Sequence, residues 1–202
     1  MTKTLYLMRH GQTLFNKRHL IQGWCDSPLT ELGIYQAQIA GNYFKENGIQ
    51  FDQAFSSTSE RACDTLEIAT GGKIPYQRVK GLKEWNFGTF EGESEDLNPA
   101  LPYEDFFVHY GGESQQELQD RMNQTISELM ENASGETILM VSHGGSIANF
   151  TRAWKHYWQV DITSRMTNCC ILKFTYTDHI FYLEDVIHHD FSGWTGNETN
   201  ET

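Results

Sequence analysis

The stretch Leu5-Tyr6-Leu7-Met8-Arg9-His10-Gly11 decides the fold. Four apolar residues stop at an Arg-His pair followed by glycine, and the pattern returns at Ile138-Leu139-Met140-Val141-Ser142-His143-Gly144-Gly145. Short apolar runs of this kind read as buried strands of a parallel sheet, and ligands of such sheets bind beyond the strands' carboxyl ends. Both histidines are thereby expected at one sheet edge, where two imidazoles could work on one substrate.

Outward from these runs, strands and helices alternate. A strand over about Thr4 to Met8 leads into a loop. Thr30 then offers an N-cap for a helix with Leu32, Tyr35, Ile39, Tyr43 and Phe44 on one face, stopping near Gly48. A second strand is expected from Phe51 to Ser56. A helix capped within Ser57-Thr58-Ser59 follows, carrying Arg61, Leu66 and Ile68 and closed by Gly71-Gly72, and then a strand from Tyr76 to Leu82. Between Trp85 and Gly112 the periodicity gives way to glycine, proline, acidic and aromatic residues, which reads as an excursion or lid at about 86–112. Leu118, Met122, Ile126 and Leu129 mark the next helix. Another begins around Ser146, and Cys170–Thr175 with Ile180–Val186, split by Thr177-Asp178, reads as a terminal hairpin. The expected fold is an α/β three-layer sandwich with a mostly parallel central sheet flanked by helices.

The chain has 202 residues, 39% hydrophobic and 13% aromatic, which suits one domain over 1–190 with a real core and a polar tail over 191–202. A formal net charge of -12 disfavours nucleic acid as a partner, since phosphate-backbone binding rests on clustered Lys and Arg. No stretch approaches the roughly 20 apolar residues of a membrane span, and Arg9 interrupts the apolar start too early for a signal-peptide core. A cytoplasmic location without membrane partners is expected. The four cysteines, Cys25, Cys63, Cys169 and Cys170, show neither metal-ligand spacing nor the density of a disulfide framework. Asn197-Glu198-Thr199 and Asn200-Glu201-Thr202 match glycosylation acceptors but are read as part of the tail.

The residue types at the strand ends point to phosphate chemistry. Gly11 permits a sharp turn that aims Arg9 and His10 into one crevice. A guanidinium offers a planar fork of donors to phosphate, and a neutral imidazole can act as a nucleophile. Asn16 and Gln22 follow in the loop, where side-chain amides can contact anionic oxygens. Arg61 sits in a first helical turn, a poor place for an ordinary surface Arg and a good one for binding an anion. Gly144-Gly145 leaves room for a ligand beside His143. Glu84, after the strand ending at Leu82, can give a proton to a leaving oxygen and later activate water. His179 and His188-His189 form no ligand pattern with His10 or His143, so no metal and no cofactor is expected.

Taken together these segments resemble the histidine phosphatase superfamily, in the branch of cofactor-dependent phosphoglycerate mutases and their phosphatase relatives. The matching residues are Leu7-Met8-Arg9-His10-Gly11-Gln12-Thr13 with Asn16, and Gln22-Gly23-Trp24 with Asp26-Ser27-Pro28-Leu29-Thr30 and Gly33. Ser56-Ser57 with Arg61-Ala62, Leu82-Lys83-Glu84 with Phe87-Gly88 and Glu91-Gly92, and Val141-Ser142-His143-Gly144-Gly145 complete them. The resemblance implies a phosphoglycerate mutase-like fold, His10 as the nucleophile that becomes phosphohistidine, and Glu84 as general acid, then base. It also implies that Arg9, Arg61 and His143 hold the transferring phosphoryl group, with Asn16, Gln22 and Gly144 as lesser contacts. Gln12 departs from the glutamate that relatives often carry.

Within that family the acceptor of the phosphoryl group separates hydrolysis from mutation. A mutase retains a carboxylated acceptor, which usually calls on Arg or Lys. No Lys or Arg occurs between Lys83 and Arg121, where Glu91, Glu93, Glu95, Asp96, Glu104 and Asp105 alternate with aromatics. This favours a phosphomonoesterase acting on a small phosphorylated metabolite with a neutral or apolar leaving group. A cofactor-dependent phosphoglycerate mutase is the alternative, with one of Lys17, Arg18 or Arg152 folded over the pocket. An inactive module that only recognises phosphate is the third reading.

Overall fold

A computed structural model describes residues 2–196. The elements in chain order are β1 (Lys3–Arg9), α1 (Leu14–Lys17), α2 (Glu31–Glu46), β2 (Gln53–Ser57), α3 (Glu60–Thr70) and β3 (Tyr76–Val79). After the excursion come α4 (Gln115–Asn132), β4 (Thr137–Ser142), α5 (Gly144–Ala153), β5 (Ile171–Thr177) and β6 (Ile180–Ile187). The six strands form one sheet in the order β3-β2-β4-β1-β5-β6. The pairs β3/β2, β2/β4 and β4/β1 are parallel, while β1/β5 and β5/β6 are antiparallel. The three-layer α/β sandwich with a mostly parallel sheet is therefore the fold.

Strand alternation sorts the central residues onto two faces. Leu5, Leu7, Ile138 and Met140 join one core with Leu118, Met122 and Ile126 of α4 and Phe150 of α5. Tyr6, Met8, Leu139 and Val141 join the other, with Ala37, Ala40 and Phe44 of α2 and Ala62 and Leu66 of α3. Burial on both faces is what makes these strands read as continuous apolar runs. At the far end of β1 from the site, the buried Lys3 Nζ donates to the carbonyls of Met130 and Ala133 at 2.5 and 2.7 Å. That ammonium serves the carboxyl end of α4, whose last turn has no basic residue of its own.

Several expected boundaries shift for physical reasons. The buried stripe of α2 is Gly33, Gln36, Ala37, Ala40, Gly41 and Phe44, while Leu32, Tyr35, Ile39 and Tyr43 are only half-buried beside it. The helix packs so closely on α3 that a Cβ on Gly41 would lie 2.5 Å from the Ala69 carbonyl oxygen, so small residues take the contact. The strand expected to reach Leu82 stops at Val79, and Lys80–Leu82 forms a 3-10 turn. Helix α5 starts at Gly144, earlier than Ser146. The terminal hairpin turns on Asp178-His179, both at positive φ, one residue beyond the expected split. Of the expected tail, residues 191–196 are described: Phe191 packs against the second core, and the Trp194 ring lies 5.3 Å from Tyr35. Both glycosylation-type triplets fall within 197–202, outside the described residues.

Candidate active site

The register of the sheet brings the two histidines together. Arg9 of β1 pairs with Ser142 of β4, so His10 and His143 leave neighbouring parallel strands at the same level. Their ring centroids are 5.2 Å apart. His10 Nδ1 lies 2.7 Å from the Gly11 carbonyl oxygen. A carbonyl only accepts, so Nδ1 carries the proton and the Nε2 lone pair is left for nucleophilic attack. Burial, followed by the charges of Arg61 and Arg9, holds the His10 imidazole well below the usual histidine range, against an opposing effect of the Gly11 hydrogen bond. The same neutral state is imposed on His143 by burial, then Arg61, His10, Lys83 and Arg9. His143 Nε2 is 2.8 Å from Ser57 Oγ, contributed by the adjacent end of β2.

Glu84 stands at the amino end of α5 and does the capping that His143 does not. Its Oε1 accepts from the N–H groups of Trp85 and Ser146 at 2.9 and 2.7 Å and from Ser146 Oγ at 3.0 Å. Oε2 accepts only the Gly145 N–H, at 2.8 Å, and so keeps lone-pair capacity for a substrate oxygen. A Cβ at Gly145 would sit 2.8 Å from Glu84 Oε1, and one at Gly144 would sit 3.2 Å from Arg9 Nε. The paired glycines thus let the acid and a guanidinium lie against the helix start.

A cavity of about 890 Å³ opens beyond this edge. Arg9, His10, Asn16, Gln22, Glu84 and Gly144 all line it, as expected from the sequence. Arg61 and His143 stand behind the lining and are fully or almost fully buried, at 1% and 0% exposure. The Arg61 fork is turned onto the loop after β1, donating to the Gly23 and Cys25 carbonyls and to Asp26. Three buried nitrogens in this cluster, Arg9 Nε, Arg61 Nε and His143 Nδ1, have no hydrogen-bond partner. Ser56 Oγ, Asn98 Oδ1 and His189 Nε2 are likewise without a partner among the described residues, so the cluster at Arg9, Arg61 and His143 accounts for half of such atoms. Gln12 takes no part in the lining; its side-chain oxygen accepts from Thr30 Oγ1.

Other positioning groups escaped the sequence reading. Arg121 of α4 donates to the carbonyls of Gly81, Lys83 and Glu84 and pairs with Glu113 at 2.7 Å. Glu113 in turn accepts from the Asn86 N–H at 2.8 Å, so this ion pair holds the chain on both sides of the acid. The loop before β5 closes over Arg9, whose Nη1 donates to the Met166 carbonyl at 2.7 Å. Only Glu95 of the acidic residues expected to repel a carboxylate lines the cavity. Arg152, named above among the residues able to fold over the pocket, lines it, and so does Arg165, so the segment without Lys or Arg forms only part of the wall. Arg121 and Arg165 lie far from the motifs in sequence.

Among the described residues no group of three or more His, Cys, Asp or Glu side chains is arranged to hold a metal, and the four cysteines are free. No helix among them is long and apolar enough to cross a membrane.

Comparison with known proteins gives a consistent picture. A 2,3-bisphosphoglycerate-dependent phosphoglycerate mutase from Methylorubrum extorquens (strain PA1) is 36% identical over 165 residues, covering 73% of this chain and 76% of that protein. The crystal structure of phosphoglycerate mutase from Bacillus anthracis str. Sterne superposes with a TM-score of 0.78 at 28% identity, covering 91% of this chain and 92% of that one. Phosphoserine phosphatase from Entamoeba histolytica, solved with 3-phosphoglyceric acid, gives a TM-score of 0.72 at 28% identity over 93% and 98% of the two chains. The sequence profile of the histidine phosphatase superfamily (branch 1) matches residues 5–187, and the chain belongs to that superfamily.

Proposed function

We propose that the protein is a metal-independent phosphomonoesterase of the cytoplasm that hydrolyses a small phosphorylated metabolite through a phosphohistidine on His10. The observation that carries the hydrolytic reading is the breadth of the space beyond Glu84. About 890 Å³ with Leu20, Ile21, Phe87, Leu101 and Tyr103 in its walls exceeds what a three-carbon acid needs and leaves water access to the phosphorylated ring.

In the first step the His10 Nε2 lone pair attacks phosphorus in line with the leaving oxygen. The P–O bond breaks, and Glu84 delivers its proton to that oxygen. In the second step water attacks the same phosphorus and gives a proton to Glu84. The N–P bond then breaks, releasing phosphate and restoring neutral His10. Arg9 meets the equatorial oxygens from the cavity wall, with Asn16 and Gln22 at the edge and Gly144 lending its helix terminus, and Arg61 and His143, buried directly behind that wall, join them when the pocket adjusts around the phosphoryl group.

A second reading, a cofactor-dependent phosphoglycerate mutase, draws support from the name of the Methylorubrum relative and from Arg152 and Arg165 in the cavity wall. The deciding experiment offers 3-phosphoglycerate with catalytic 2,3-bisphosphoglycerate beside aryl, sugar and alkyl phosphomonoesters, with and without chelator. Hydrolysis of several esters, unaffected by EDTA, with little isomerisation is expected. Isomerisation exceeding hydrolysis by orders of magnitude would install the mutase reading instead. No turnover of any ester, p-nitrophenyl phosphate included, would leave a phosphate-recognising module.

A further inference from the structure

We propose that Arg152 and Arg165 form a second oxyanion subsite, so that the preferred leaving group carries an anionic group of its own at the end away from the scissile bond. This rests on the phosphomonoesterase reading for its direction. Glu84 marks where the leaving oxygen lies, and its carboxylate is held by Gly145 and Ser146 at the start of α5. From there the cavity wall follows one face of that helix through Gly145, Ala148, Asn149 and Arg152. The spacing 145, 148, 149, 152 is that of residues stacked along a helix face, and seven residues rise roughly 10 Å. A leaving group pointing away from Glu84 along this wall ends at Arg152.

Arg165 closes the same space from the loop before β5. It precedes Met166, whose carbonyl is tied to Arg9 Nη1 at 2.7 Å, and the Asn168 side chain ties the loop again to the His10 carbonyl at 3.1 Å. Arg165 thus shares the cavity wall with Arg9 of the strand-end site and Tyr103 of the excursion.

Neither guanidinium is committed. Arg152 donates to the neutral Asn149 Oδ1 at 3.0 Å, and among the described residues neither Arg152 nor Arg165 pairs with a carboxylate. Apart from Arg9 and Glu84, the charged side chains of the wall are these two cations and Glu95, which faces His19 at 3.7 Å. Two forks against one carboxylate leave the subsite net positive, and paired guanidiniums are suited to planar or tetrahedral oxyanions. Ile21, Phe87, Tyr103 and Ile162 in the same walls suit an apolar spacer.

The test uses three aryl phosphates with the same phenolic leaving oxygen and a para propanoate, propanamide or propylphosphonate arm, so that leaving-group acidity is nearly constant. The ratio of kcat/KM for each anionic ester over the amide is read within one preparation, which makes it independent of the fraction of folded enzyme. In the wild type the better anionic ester should lead the amide by about tenfold at low salt, with the lead shrinking at high ionic strength because both arginines are exposed. Whichever anion leads names the oxyanion. In the Arg152→Gln/Arg165→Gln double variant the ratio should fall to within about twofold of unity. A wild-type ratio near unity, or one that survives the double variant, overturns the proposal. If no ester is hydrolysed the phosphomonoesterase reading fails separately. Calorimetric binding of the matching non-hydrolysable phosphonates then reads the same ratio without turnover.

Discussion

The strand-end site and the excursion at 86–112 are neighbours built on opposite principles. At the strand ends every functional side chain is fixed by the sheet or by a helix terminus: His10 by the Gly11 carbonyl, His143 by Ser57, Glu84 by four donors. The excursion holds only short 3-10 turns and is organised around one ring. Phe107 is fully buried and lies 4.8–6.1 Å from Trp85, Phe87, Phe90, Tyr103 and Phe106. Its rim leaves Leu97 and Leu101 exposed at 52% and 77%. Hydrogen bonds at element ends set angles, which phosphoryl transfer demands. Packed rings set a surface, which is what a leaving group meets. Chemistry and recognition are thereby separable in this molecule.

The largest effect that would break this division is on His10. His10→Ala should lower turnover of any phosphomonoester by about 10⁴-fold or more, since the covalent route is removed. Protein quenched in detergent after exposure to a labelled ester should hold label in base and lose it in acid. Label retained by His10→Ala at wild-type stoichiometry would move the nucleophile elsewhere.

Next comes Glu84→Gln, which keeps the shape and removes the transferable proton. Alkyl esters should slow by about 10²–10⁴-fold, whereas p-nitrophenyl phosphate, whose leaving group needs little protonation, should slow far less. Equal losses on both esters would deny Glu84 its role as acid.

The excursion should answer differently. Phe107→Ala removes a fully buried ring and should cost about 3–5 kcal/mol if this segment unfolds with the rest. Urea unfolding measures that cost, and KM for bulky esters should rise while kcat for p-nitrophenyl phosphate holds within about threefold. A parallel collapse of kcat would mean that the two regions are one unit.

The smallest effect sharpens the electrostatic side. Both His10 and His143 are buried and held neutral, their folded values lying below the unfolded one. Below about pH 6.5 the unfolded chain binds protons that the folded one refuses, so their contribution is present above that pH and lost as pH falls. Each histidine should remove roughly 1.4 kcal/mol of stability per pH unit in that window. Urea midpoints between pH 7.5 and 5 should show a shallower slope in His143→Asn than in the wild type. An unchanged slope would place the ionisation of His143 elsewhere.

The same division explains how far the sequence could be read. His10, His143 and Glu84 announce themselves because an apolar run must end where its strand leaves the core. The alternation of such runs with helical periodicity gives the sandwich directly. The small-residue face of α2 was hidden, because glycine and alanine carry little apolar signal while the half-buried Tyr35, Ile39 and Tyr43 carry much. Arg152 was legible as a residue able to fold over the pocket, whereas Arg121 and Arg165 were, for another reason, not legible as site neighbours. Arg121 is a polar position of an amphipathic helix and Arg165 belongs to an irregular loop, so helical spacing does not say what either faces and their place depends on tertiary packing. The charge argument from 84–120 considered one wall of the cavity and could not see the opposite one.

The position of β1 carries a consequence for how the chain is made. Synthesised before the other five strands, it lies between β4 and β5, both from the second half of the sequence, and its Lys3 serves a helix ending at Asn132. A nascent chain that stops short of Ile171 therefore holds an apolar strand with an open edge, the kind of segment that pairs with a neighbour when its own partner is late. His10 is made before every other residue of the candidate site except Arg9, and β5, which covers the free edge of β1, is made after all the strands but β6. During translation this protein must keep an apolar strand waiting, and chaperone demand should be concentrated in that interval.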